Sequence, residues 1–246
     1  MLYFWPYVVF FSIPLTIGPI LSPIIRLLPN GPKSFLQNNI TGISQSSLPS
    51  LFAATLCILS GLAAVHYNTI IHPYTLADNR HYVFYVFRIL QRHPAIKYLA
   101  VPIYYLCAWM AFRTLELKPQ SQDQTQIKQD SRDSIKPNPV APSSHQSCQI
   151  SFVIAWVATT TLSVATAPLV EPRYFIIPYI IWRLHVPCLS SSSSISGSGS
   201  RKTSYDLRLV LETLWLLTVN ALLGYMFLYR GFEWPQEPGR VQRFLW

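Results

Sequence analysis

Long apolar runs alternate with short polar stretches along this chain, and the runs set its architecture. Leu2 to Leu28 is apolar but carries Pro6, Pro14, Pro19 and Pro23. At about 1.5 Å of rise per residue it is long enough to cross a bilayer, and its prolines predict a kinked or broken helix supported by neighbouring protein. Leu51 to Ile71, Ala95 to Phe112, Ile150 to Val170 and Leu207 to Tyr229 predict further spans. Tyr174 to Val186, with Pro178 inside and Arg183 near its end, predicts either a short span or a re-entrant helix. A different pattern follows Asp78. His81, Tyr85, Arg88 and Arg92 recur at helical spacing, while Val83, Phe84, Val86, Phe87 and Leu90 fill the remaining positions. That pattern predicts an amphipathic helix at the membrane interface, capped by Asp78 or Asn79. The expected class is an all-α polytopic membrane protein with about five to six transmembrane helices.

The segments between these runs divide the chain. Residues 1–114 hold the first helices and a polar motif, and 115–149 form a loop rich in Gln, Ser, Asp, Lys and Pro, expected to be disordered and cytoplasmic. Residues 150–187 hold a span and a second polar motif, 188–206 a Ser/Gly linker, and 207–246 the last span and tail. No basic stretch precedes the first run and no small-residue cleavage site follows it, so it is not a secretory signal. From its abrupt start the chain is expected to be cut from a longer polypeptide.

Composition agrees with the membrane reading. Of 246 residues half are hydrophobic and only 12% are charged, against about a quarter charged in an average soluble domain. The net charge of +9 does not imply a nucleic-acid partner, because the Lys and Arg are scattered through loops and span ends without a basic stripe. Cys57, Cys107, Cys148 and Cys188 are far apart with no CxxC spacing, so neither a metal site nor a disulfide framework is expected. Eleven of the 19 Lys and Arg fall on the side that carries the 115–149 loop if Tyr174 to Val186 crosses. That excess puts the loop in the cytoplasm and both polar motifs in the lumen. The sequon Asn39-Ile40-Thr41 then faces the cytoplasm and is expected to be unmodified.

Candidate chemistry is concentrated in the two motifs. The first, Ile71-His72-Pro73-Tyr74-Thr75-Leu76-Ala77-Asp78-Asn79-Arg80-His81-Tyr82, follows one span directly. The second, Glu171-Pro172-Arg173-Tyr174-Phe175, follows another. Such ensembles are costly in hydrocarbon and belong at a surface or in a wet cavity. One reading makes them span-end anchors, with Asp78 and Asn79 as caps and the arginines snorkelling to headgroups. The other makes them a grip in which arginine binds phosphate, Asp78 and Asn79 bind sugar hydroxyls and tyrosine stacks on a ring. Glu171 and Arg173, two apart, would not face each other on a helix. Pro172 favours an extended turn between them that would aim Arg173 into a cavity. A catalytic base within the motifs has to be Asp78, Glu171, His72 or His81.

Leu76-Ala77-Asp78-Asn79-Arg80-His81-Tyr82 with the upstream His72-Pro73, Glu171-Pro172-Arg173-Tyr174-Phe175 with Ile177-Pro178-Tyr179, and Gln242-Arg243-Phe244-Leu245-Trp246 together resemble one family. It is the endoplasmic-reticulum alpha-1,2-glucosyltransferase family that uses dolichyl phosphate glucose; Leu2-Tyr3-Phe4-Trp5-Pro6-Tyr7 resembles an internal segment of it. The resemblance covers nearly all of this chain and the C-terminal half of the family. It implies part of a glycosyltransferase-C-type fold in a multi-pass endoplasmic-reticulum membrane protein. The implied reaction moves glucose from dolichyl phosphate glucose to the diglucosylated lipid-linked oligosaccharide, with inversion at the anomeric carbon and with neither a cofactor nor a metal. It further implies substrate contacts from Asp78, Asn79, Arg80, His81, Tyr82, Glu171, Arg173 and Tyr174, with Arg80, His81 and Arg173 on the departing phosphate. Asp78 and His81 are candidate catalytic groups, although the family's base is expected in an acidic lumenal loop of its N-terminal half. A non-catalytic fragment or pseudoenzyme of this family, or a transporter, are the alternative readings.

Overall fold

The computed structural model describes residues 2–29, 36, 49–68, 76, 80–116, 150–166, 171–188, 206–234 and 237–243. The expectations for the 115–149 loop, the Ser/Gly linker, the Asn39 sequon and Ile71 to Thr75 fall almost wholly outside them.

Proline decides the shape of the first apolar run. It folds as α1 (Phe4–Phe11), α2 (Ile13–Thr16) and α3 (Gly18–Arg26). The breaks fall at Ser12 and Ile17, and each new helix restarts with a proline in its first turn. There the missing N–H costs no bond, whereas deeper in a helix the ring would clash with the preceding turn. The expected broken helix is therefore present.

The other apolar runs form α4 (Leu51–Asn68), α6 (Pro94–Leu115), α7 (Ile150–Ala165) and α9 (Leu207–Tyr229). Between α4 and α6 lies α5 (Tyr82–Arg92), and between α7 and α9 lies α8 (Arg173–His185). By length and composition α4, α6 and α9 are able to cross a membrane, and α7 is a shorter apolar helix of 16 residues. The chain is thus a multi-pass membrane protein. With 13 residues, α8 rises about 20 Å, short of the ~30 Å of hydrocarbon.

Helix α5 has the expected two faces: Phe84 and Phe87 are buried, while Arg88 and Arg92 are exposed. Its start differs from expectation. The cap position is taken by His81, in extended geometry and without a side-chain cap bond; Asp78 and Asn79 are outside the described residues. It stops at His93 because a residue before proline is driven out of the helical region. His93 then caps α6, its Nδ1 accepting the Ala95 N–H at 3.1 Å.

The core forms around α1. Phe4, Trp5 and Val8 are buried against Cys107, Ala111 and Leu115 of α6, Trp156 and Val164 of α7, and Phe175 and Trp182 of α8. Two indoles cross-link the helices: Trp156 Nε1 donates to the Pro178 carbonyl at 3.0 Å, and Trp182 Nε1 to the Ala111 carbonyl at 3.2 Å.

One element departs from the all-α expectation. Beyond α9 the tail forms a hairpin of β1 (Phe232–Trp234) and β2 (Glu237–Gln242). Phe232 pairs with Gln242 and Glu233 with Val241, then the register shifts so that Trp234 faces Glu237. Gly239 takes φ +83° within the shifted stretch, a conformation open to glycine at little cost. Arg243 pins the tail back on α9, donating to the Phe227 carbonyl at 3.1 Å with its guanidinium over the Phe227 ring.

Candidate functional site

Each polar motif leads into a helix. Arg80 and His81 are exposed immediately before α5, and Tyr82 is the first residue of that helix. Asp78, Asn79 and His72 lie outside the described residues. In the second motif Glu171 and Pro172 precede α8 and Arg173 begins it.

The geometry corrects two expectations about this second motif. Glu171 and Arg173 form an ion pair, because Glu171 stands outside the helix and is free of its angular spacing. Pro172 is not extended but near-helical, at φ −59° and ψ −30°, so the chain turns into α8 without aiming Arg173 at a buried cavity. The Arg173 side chain remains 68% exposed, and its guanidinium lies over the Tyr174 ring, 5.5 Å from its centre. The result is a surface fork, oriented by a carboxylate and an aromatic face and open to a further anionic ligand.

Packing brings the two motif-bearing helices onto one platform. Tyr3, at the entry to α1, meets Phe87 of α5 and Tyr104 of α6, with ring centres 5.3 and 5.6 Å apart. Phe4 and Tyr7 meet Phe175 of α8 at 5.7 and 5.4 Å. Helices α6 and α8 run in the same sense: Ala111 and Trp182 are bonded, and two turns back Tyr104 and Phe175 both touch the start of α1. The beginnings of α6 and α8 therefore lie toward the same end of the bundle, and Glu171 and Arg173 with the latter.

A third polar cluster escaped the sequence reading. Glu212 of α9, 6% exposed, receives the Arg183 guanidinium of α8 with Nη2 to Oε2 at 2.6 Å and Nε to Oε1 at 2.9 Å. Ser12, fully buried at the break between α1 and α2, donates to Glu212 Oε1 at 3.2 Å and lies 2.9 Å from the Tyr179 hydroxyl. One turn before Glu212, fully buried Arg208 donates to the Pro187 carbonyl at 3.1 Å and to Asp206 Oδ2 at 2.9 Å. Glu212 and Arg208 inside a 23-residue, mostly apolar run are the available signal, since ionisable residues within spans are usually paired and functional.

A cavity of about 520 Å³ opens between α1, α4 and α6, lined by Trp5, Tyr104, Trp109 and Phe112 and bordered by the Arg113–Glu116 ion pair. It contains no described residue of either polar motif. Among the described residues no three His, Cys, Asp or Glu side chains converge as a metal site.

Comparison with known proteins places this geometry in context. Residues 1–184 match the DIE2/ALG10 family. The chain is 40% identical, over all of its length and 49% of the relative's, to the Dol-P-Glc:Glc(2)Man(9)GlcNAc(2)-PP-Dol alpha-1,2-glucosyltransferase of Aspergillus fumigatus. It is 39% identical over the same shares to the protein of that name in Emericella nidulans. To the one in Arabidopsis thaliana it is 30% identical over 80% of this chain and 30% of the relative. The chain spans about half the length of the fungal relatives it matches. No solved structure matches it.

Proposed function

The chain belongs to the DIE2/ALG10 family, and from that premise we propose that it is part of a glucosyltransferase of the endoplasmic-reticulum membrane. The enzyme transfers glucose from dolichyl phosphate glucose to a hydroxyl of the diglucosylated lipid-linked oligosaccharide, forming an alpha-1,2 linkage. The observation that carries this reading is 40% identity along the whole chain to a relative named for that reaction. The geometry supports it. The helices that follow the two motifs, α5 and α8, rest on the same aromatic platform at the start of α1.

In the reaction the bond from the glucose anomeric carbon to the phosphate oxygen breaks as the acceptor oxygen attacks from the opposite face. The acceptor proton passes to a carboxylate or imidazole base, and the departing dolichyl phosphate gains negative charge. Arg80, His81 and Arg173 are suited to hold that phosphate. Asp78, Asn79, Tyr82 and Tyr174 are suited to the sugars. The ion pair with Arg173 occupies Glu171, which suits it to orienting the fork rather than accepting the proton. The donor's own phosphate bond activates the glucose, so the scheme calls on no organic cofactor.

The test is a two-piece reconstitution. This chain is expressed together with the part of the Aspergillus fumigatus relative outside the match, in membranes lacking the third-glucose activity. Radiolabelled dolichyl phosphate glucose and the diglucosylated acceptor are then supplied. The expected product is the triglucosylated lipid. Two pieces that insert and co-purify yet yield no added glucose would overturn the reading.

A further inference from the structure

We infer that Glu212 is the positioning residue of the second polar motif, acting through α8; the inference rests on reading that motif as the grip on the donor phosphate. Helix α8 is shorter than the hydrocarbon layer, so matching to the bilayer does not set its height. Side-chain bonds set it instead: besides the indole bonds at Pro178 and Trp182, the charged ones gather at the end remote from the motif. There Glu212 holds Arg183 with both carboxylate oxygens, at 2.9 and 3.0 Å to Nε and 2.6 Å to Nη2. The same carboxylate accepts the Ser12 hydroxyl, which in turn meets Tyr179 one turn up α8. One acidic group thus joins α8 to α9 and to the proline break of the first segment. Arg208 adds a second hold on the chain just past α8, at the Pro187 carbonyl.

At the motif end Glu171 and Arg173 pair with each other. That bond orients the fork but fixes no height, because both partners travel with the same segment. A helix is stiff along its axis, so a slide or rotation of α8 at Arg183 reappears at Arg173. The two ionised partners are largely withdrawn from water, so loss of one leaves the other uncompensated and free to seek new partners. Misplacement of a transition-state contact by about 1 Å costs on the order of 10²-fold in rate, so a residue that never touches substrate here governs turnover.

The experiment uses the full chain in membranes, with its four native cysteines replaced and Arg173→Cys as a reporter for a membrane-impermeant maleimide. Glu212→Gln is expected to change the reporter's labelling rate severalfold. The charge-swapped pair Arg183→Glu with Glu212→Arg should restore it, and a Leu99→Cys reporter on α6 should not respond. In the two-piece transfer assay, with Arg173 intact, Glu212→Gln should lower kcat by about 10- to 100-fold at unchanged KM for dolichyl phosphate glucose. If Glu212→Gln does not fold, Ser12→Ala, which removes one bond of the cluster, supplies the labelling comparison. Folded variants with parental labelling at position 173 overturn the inference. Altered labelling in a pair whose parent transfers no glucose supports the mechanical link and sinks the functional reading of the motif.

Discussion

Arg173 shows how much one residue's surroundings decide. Its guanidinium is held by Glu171 on one side and rests on Tyr174 on the other, leaving a planar fork presented at the surface. Lysine would keep the charge and could still pair with Glu171, but it would lose the fork and the stacking. A contact to phosphate that strengthens as the glycosidic bond breaks contributes to turnover rather than to binding alone. In the two-piece enzyme, Arg80→Lys and Arg173→Lys are therefore each expected to lower kcat by roughly 10²–10³-fold. Arg92→Lys, at the exposed end of α5, should leave turnover at the parental level. Parental rates in all three variants would mean that the motifs are anchors and that the phosphate is held elsewhere.

Among the elements, α4 meets α6 at a close crossing, with His66 Nδ1 3.0 Å from the Tyr98 hydroxyl as a second contact. A Cβ at Gly61 would stand 2.7 Å from Val101 Cγ1, and Val101 is buried in α6 with a stiff, β-branched side chain. In a membrane, helices associate mainly through such close packing, because lipid is as apolar as the side chains it replaces. Gly61→Ala should therefore weaken the α4–α6 contact by about 1–3 kcal/mol. Val101→Ala in the same chain should return much of that loss. Thermal unfolding in detergent reads both effects; an unmoved midpoint for Gly61→Ala alone would show that α4 does not rest on α6 there.

For the whole molecule, the parallel run of α6 and α8 carries the consequence. Their starts lie toward one end of the bundle, and with α5 expected along the membrane interface both motifs should open to the same aqueous side, the lumen in the topology that the basic residues favour. Single cysteines at Thr75 and Pro172 are expected to react with impermeant reagent from that side in sealed vesicles, and to be protected from the other. Reaction from opposite sides would overturn both the topology and a shared donor site.

The sequence by itself determined most of the helices and marked the polar motifs. The bounds Leu207 to Tyr229 follow from hydropathy, and the prolines of the first run predict a broken helix without saying that Pro14 and Pro19 restart it while Pro23 stays inside α3, because hydropathy and proline geometry act within a few residues. The tail hairpin was not foreseen: its two strands are short, and Arg243 anchors it to α9. Tertiary structure alone decided the partnerships. Nothing local to Glu212 names Arg183, across the linker, or Ser12, 200 positions away. Nothing local to Phe87 and Phe175 names the start of α1 as their common support. A buried charge must find an opposite charge and a large ring must find a cavity its shape, and which remote segment supplies either is settled only when the helices pack.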